Sequence, residues 1–277
     1  MDEMNKVDLI STLESNQSSI IGDYSRSPLV LRFGRTYIGI SDIENQYYCE
    51  QKLHLAKSKL IQSSITSVQQ KPVTEQTAEE KLLVSDVLKS QIREDIGNEG
   101  HNLISCAENE LKEVRVSCVF KDILILGRFD KLVIDSSNNS LIVVENKFRE
   151  QASIPKDYVD RNGVTKCNPY LEHCTQARVY SYSLRYMLES TFYSNYETDY
   201  IIRYYLKGQE DCLPEKPVKE FFYRYTPSEN LHCIDELNFV IGYWLEKRDP
   251  IPTKSKAKGL DCIYKPFCNK CFWAMGI

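Results

Sequence analysis

Apolar residues recur along the chain with two different periods. In "DIENQYYCEQKLHLAKSKLI", Ile43, Tyr47, Leu53 and Leu60 fall at near-helical spacing, with Ser41 or Asp42 placed to cap the N-terminus. Residues before this run read as a loose start. Residues 75–95, "EQTAEEKLLVSDVLKSQIRED", are rich in strong helix formers and again amphipathic. Gly97 and Gly100 loosen that pattern near "NEGHNLISC", where another helix can begin.

The period then changes. From "VRVSCVF" through "ILILGRFDKLVID" to "SLIVVENKF" the chain is β-branched and aliphatic with short polar breaks, which predicts three strands in a meander. Residues 149–172, with Pro155, Gly163 and Pro169, form a polar loop long enough to suggest a role of its own. "CTQARVYSYSLRYMLES" sets Val179, Leu184 and Met187 or Leu188 on one helical face. "TDYIIRYYLKG" and "VKEFFYRYT" predict a second strand pair, and "NLHCIDELNFVIGYWLEKR" a long amphipathic helix. Beyond Pro250 and Pro252 the chain turns basic and finishes in clustered cysteines. No internal repeat or low-complexity tract interrupts this order.

A length of 277 residues allows a substantial core, as one large domain or one domain with an appendage. With 27% charged and 42% apolar residues the chain suits a folded globular protein. The acidic start lacks the basic and apolar regions of a secretory signal, and no apolar run approaches the roughly 20 residues that span a bilayer, so a cytosolic protein is expected. In that compartment ten cysteines imply reduced core thiols or metal ligation rather than disulfides. The net charge of -4 decides nothing about nucleic acid, because surface acids mask a local basic groove.

Candidate chemistry lies in "GRFDKLVIDSSNNSLIVVENKF". A hairpin centred between Ser137 and Asn138 sets Ile134 opposite Leu141, Leu132 opposite Val143 and Asp130 opposite Glu145, all on one face. Like charges so opposed are destabilising unless a cation lies between them. Lys147 shares the face of Glu145. Two acids and a lysine suit phosphodiester hydrolysis: oxygen ligands hold Mg²⁺ or Mn²⁺, and the lysine orients water or stabilises charge on the phosphate. A surface hairpin, its acids solvated or paired with Lys147 and Arg128, fits the same residues.

These residues resemble the RecB-like branch of PD-(D/E)xK nucleases. "GRFD" and "VVENK" look like its second and third motifs, which puts Asp130, Glu145 and Lys147 at the D and ExK positions. "QARVY" supplies Gln176 and Tyr180 for the downstream Q-x-x-x-Y motif, one helical turn apart. "EGHNLI" supplies His101 for the metal-binding histidine, with His173 as rival. The resemblance implies that His101, Asp130 and Glu145, with a backbone carbonyl near Asn146, hold the metal. Lys147 then assists the attacking water, while Gln176 and Tyr180 position the strand.

Cys49 before this core and Cys262, Cys268 and Cys271 after it resemble the iron-sulfur nucleases: the fourth family of CRISPR-associated (Cas) proteins, the AddB-type nuclease domains and the exonuclease V group. The family spacing C-x2-C-x5-C is inverted here to C-x5-C-x2-C, with Gly259 where the first cysteine would fall and Cys271 as the compensating ligand. Spacing alone fits a Cys₄ zinc site as well; the resemblance favours a [4Fe-4S] cluster. Either metal would staple distant parts of the chain, worth on the order of 5 kcal/mol by the loop-closure model for a cross-link. The cysteines at 106, 118, 167, 174, 212 and 233 read as core thiols.

The implied fold is α/β: one nuclease domain over 1–277, with a mainly helical part at 1–95 that carries Cys49, a mixed-sheet core at 96–225, and a helix with the cysteine cluster at 226–277. The implied activity is metal-dependent cleavage of single-stranded DNA with exonuclease character, in CRISPR spacer acquisition or DNA end processing. CRISPR integrase proteins would then be partners. Lys254, Lys256, Lys258, Arg203, Lys207, Lys216 and Lys219 offer a path for a phosphate backbone, and Tyr180, Tyr182, Tyr204 and Tyr205 offer stacking surfaces. A metal-stapled DNA-binding or assembly protein with an unused site is the alternative.

Overall fold

Two tight turns set the central sheet. Lys121 and Asp122 take φ of 49° and 59°, the pair of positive values that a two-residue hairpin turn requires, and join β2 (Glu110–Phe120) to β3 (Ile123–Asp135). Asp135 then stabilises the next turn by accepting from the Ser137 and Asn138 amides at 3.1 and 3.3 Å, so that β4 (Ser140–Arg149) returns antiparallel. The pairs Ile134–Leu141 and Leu132–Val143 match the register expected from the alternation.

The computed structural model describes residues 6–58, 107–206 and 216–254, with Cys262, Tyr264 and Cys268. It is a mixed α/β structure, a mixed sheet flanked by helices. Before the meander come α1 (Lys6–Tyr24), β1 (Tyr37–Gly39) and α2 (Ile40–Lys57). After it come the two-residue strands β5 (Tyr158–Val159) and β6 (Thr165–Lys166), α3 (Leu171–Leu188), β7 (Glu197–Leu206), β8 (Lys219–Arg224) and α4 (Pro227–Trp244). The helix expected at 75–95 lies outside the described residues, as do Cys106 and Cys212.

β3 is shared unequally. One edge pairs with β2 along almost its whole length. The other serves two strands, with β1 parallel at Leu124–Leu126 and β4 antiparallel at Lys131–Asp135. Between them residues 127–130 have no ladder partner on that edge among the described residues. β4 continues past the gap and pairs in parallel with β7 over Ser140–Arg149, and β8 adds antiparallel to β7. The β4–α3–β7 crossover lays α3 on the sheet, where Ala177, Val179, Tyr180 and Leu184 are buried, and α1, α2 and α4 all pack on α3.

Three expectations change. The start is helix α1, weakly amphipathic with Leu9 and Leu13 as its buried residues, which is why no period stood out. α2 begins at Ile40 after Gly39; Asp42 does not cap it, its carboxylate being taken by Arg35 at 2.5 Å and Lys57 at 2.9 Å. Residues 149–172 contain a short 3₁₀ turn and the β5–β6 hairpin. No helix among the described residues is long and apolar enough to cross a membrane.

Candidate active site

The site forms where β3 and β4 part. Their ladder ends at Lys131–Val144, one step short of Asp130 and Glu145. Instead of a ladder bond, Asp130 Oδ2 accepts from the Asn146 backbone amide at 2.5 Å. The strands splay, and the two carboxylates stand at the mouth of the gap. Gly127 permits this packing: a Cβ there would lie 2.6 Å from Ile40 Cδ1 and 2.7 Å from Tyr180 Cε1.

The period of β4 sends Glu145 and Lys147 toward α3. Lys147 Nζ lies 3.1 Å from Glu145 Oε1, 3.0 Å from Glu44 Oε1 and 2.5 Å from Gln176 Oε1. Gln176 Nε2 donates to the Tyr180 hydroxyl at 3.3 Å, and that hydroxyl donates to the Arg128 carbonyl at 2.9 Å, on the unpaired stretch of β3. Glu145, Lys147, Gln176 and Tyr180 therefore form one connected group, with the Asp130 charge acting on Glu145 beside it. Gln176 and Tyr180 are buried and bonded within it, which suits holding the lysine rather than touching a strand.

Glu44, on the first turns of α2, was not singled out by sequence. It lies far along the chain from the hairpin, and only the packing of α2 on α3 brings it to the lysine. Its Oε1 is also 3.5 Å from His173 Nε2. That nitrogen accepts from Arg149 at 2.9 Å while Nδ1 bonds the Tyr204 hydroxyl at 2.7 Å, so both ring nitrogens of buried His173 are engaged. His101 lies outside the described residues.

Two carboxylates, Glu44 and Glu145, thus share one ammonium, and Asp130 adds its charge beside Glu145. Burial, and next the Asp130 charge, push Glu145 up to about 8, with Lys147 offsetting part of the rise. Burial alone would lower Lys147, but Glu44 and Glu145 outweigh it and leave the ammonium raised. Burial and the same acids raise Tyr180, so its hydroxyl stays protonated. Glu145 Oε2 and Asn146 Oδ1 are buried with no hydrogen-bond partner.

The cysteines gather at another place. Extended backbone at Cys49 interrupts α2, and its Sγ accepts from the Lys52 amide at 3.4 Å, as an N-cap side chain does, and from the Thr253 amide at 3.3 Å. Around it the C-terminal segment is clamped. Arg248 binds the Glu50 carboxylate with both NH groups, at 2.5 and 2.6 Å, and the Ile251 amide adds a bond at 2.9 Å. Burial raises the Cys262 thiol, with Cys49 and Cys268 among its electrostatic neighbours. Cys271 lies outside the described residues. Among the described residues no three His, Cys, Asp or Glu side chains group so as to hold a metal ion. Cys118 and Cys233 are buried, as expected of core thiols, and Cys167 and Cys174 partly so.

The stacking surfaces expected of the tyrosines are absent: Tyr180, Tyr204 and Tyr205 are buried and Tyr182 packs against Phe120. The Tyr180 and Tyr204 rings fill the space between sheet and helix, while Tyr205 stacks on Phe148 on the other face of the sheet. Arg203 and Lys219 of the expected basic path are paired with Glu220 and Asp157, both at 2.7 Å or less. Lys207, Lys256 and Lys258 lie outside the described residues.

No protein-family model matches the chain. No curated protein matches it either. Among solved structures, the crystal structure of SSO0001 aligns over 94% of this chain and 93% of that one, at 14% identity and a TM-score of 0.42. One described as "Putative exonuclease", from Eubacterium rectale, aligns over 92% and 91%, at 9% identity and a TM-score of 0.37. Both scores lie below the level at which a shared fold follows.

Proposed function

We propose that the chain is a metal-dependent deoxyribonuclease that hydrolyses phosphodiester bonds at the gap between β3 and β4. The observation that carries this reading is the Glu145 carboxylate: buried, beside Asp130, with one oxygen lacking any partner. An acid so placed is costly unless a cation completes it. Hard oxygen donors from Asp130 and Glu145 fit Mg²⁺ or Mn²⁺, with His101 and the carbonyl near Asn146 as the further donors the family resemblance implies. Bound there, the ion would supply charge against the phosphate and acidify a water.

The remaining work belongs to side chains. Lys147, held by Glu44 and Gln176, keeps its proton and so acts as a hydrogen-bond donor and fixed positive charge toward phosphate oxygens or the attacking water. Gln176 and Tyr180 fix where that charge stands and tie it to the Arg128 carbonyl. Cys49, Cys262, Cys268 and Cys271 are proposed to hold a [4Fe-4S] cluster, or zinc, as a structural staple. The Cys49 sulfur accepts from two backbone amides, which holds it at the kink of α2. Single-strand preference, exonuclease character, work beside CRISPR integrase proteins and a cytoplasmic location rest on the family resemblance alone.

Incubation of labelled single-stranded DNA with Mn²⁺ or with EDTA tests the reading. Cleavage is expected with Mn²⁺ only, and Asp130→Asn should lower the rate about a thousandfold with the fold retained by circular dichroism. An Asp130→Asn protein as active as the parent would overturn the assignment, and inertness of the parent would favour the binding-protein alternative.

A further inference from the structure

The β5–β6 hairpin leaves the body of the protein between the Lys147 strand and the Gln176 helix. Its tip is built rigidly. Asp160 Oδ1 accepts from the Asn162 and Val164 amides at 2.9 and 3.0 Å, and Gly163 takes the positive φ of 77° that closes the turn. Its base is fixed by Lys219–Asp157 at 2.6 Å and by Asn168 donating to the Tyr158 hydroxyl at 2.8 Å.

What this element displays is unusual for so small a loop. Tyr158 is 46% exposed, Val159 66% and Val164 52%. Both of its acids are neutralised, Asp157 by Lys219 and Asp160 by Lys166. Lys156 and Arg161 are exposed with no ion-pair partner among the described residues, so the free charge of the hairpin is positive. An aromatic ring and aliphatic surface flanked by uncompensated cations match unpaired bases on a phosphate backbone.

Its location is equally specific. Lys219 pairs across the sheet with Tyr204, and Tyr204 with Lys147. The anchor of the hairpin is therefore two strand spacings from the row of Lys147, about 10 Å, or roughly three nucleotides of stacked strand.

We infer that the β5–β6 hairpin grips an unpaired DNA strand, Tyr158 stacking on a base while Lys156 and Arg161 meet phosphates, and so guides the strand to the Asp130–Glu145 gap. The inference rests on the nuclease reading of that gap and assigns the single-strand contact to a surface the buried tyrosines cannot provide.

The test measures anisotropy of a fluorescent single-stranded oligonucleotide in EDTA, with no hydrolysis required. Tyr158→Ala should weaken binding about 10-fold. Lys156→Gln with Arg161→Gln should make the log–log salt dependence shallower by about 1.4. With Mn²⁺, hydrolysis of bis(p-nitrophenyl) phosphate, too small to reach the hairpin, should be unchanged in both variants. Parental oligonucleotide affinity in both variants would overturn the inference, as would equal weakening toward a blunt duplex. If the parent binds through the hairpin yet cleaves neither substrate, the site reading fails while the hairpin's strand contact stands.

Discussion

Helix α3 carries two charged clusters, and they are built on opposite terms. On one side Arg178 lies between Glu229 at 2.7 Å and Glu236 at 2.6 Å, with the Thr175 hydroxyl donating to Glu236 and the Tyr200 hydroxyl to Glu229. On the other side Gln176 steadies Lys147 among Glu44, Glu145 and Asp130. Burial works against the charge of Glu229, yet the Arg178 bonds still leave that carboxyl below its usual range. Glu145 is driven up to about 8. In the first cluster the Arg178 guanidinium bonds both acids directly, and Glu236 Oε2 is left buried without a hydrogen-bond partner. In the second, burial and the Asp130 charge outweigh Lys147 at Glu145, and this is the excess that the proposed cation would offset. Burial of charge thus says little about function until the partners are examined.

The largest effect that would sharpen this contrast is in the arginine cluster. Arg178→Met strands two acids and should cost about 3–5 kcal/mol in denaturant melts, with the specific activity of the remaining folded protein preserved. Loss of activity without loss of stability would invert the roles assigned to the two clusters. The next effect concerns pH. Because folding raises Glu145, the native protein keeps a proton that the unfolded chain has already released. Stability of the metal-free protein should therefore be highest below about pH 4.5 as far as this group is concerned, and fall as pH rises toward 8, by a few kcal/mol at most. Mn²⁺ or Glu145→Gln should flatten the decline, and a decline untouched by both would remove the electrostatic argument for a cation. Smallest is Glu44→Gln, which frees one side of Lys147 and should lower kcat about 10- to 100-fold with little change in KM. An unaltered kcat would make Glu44 a bystander.

Much of this was legible in the letters because it is local. The alternation of β3 and β4 gave the register of Leu132 and Ile134, and the i, i+4 spacing put Gln176 and Tyr180 on one face of α3. The parting of the strands was not legible, since nothing local announces that Asp130 bonds the Asn146 amide instead of continuing the ladder. Glu44 was hidden for a different reason: its helix is weakly patterned and its role exists only after α2 docks on α3. The tyrosines misled because an amphipathic ring suits a wet surface or a satisfied interior equally well, and here Tyr204 found its partner in His173.

The clamp of Arg248 and Ile251 on Glu50 also imposes an order in time. On a ribosome adding about 5–20 residues per second, Glu50 emerges roughly 10–40 s before Arg248, 198 residues later. Through that interval the Cys49 end of α2 lacks its final partners, so this corner is the last to lock as synthesis proceeds.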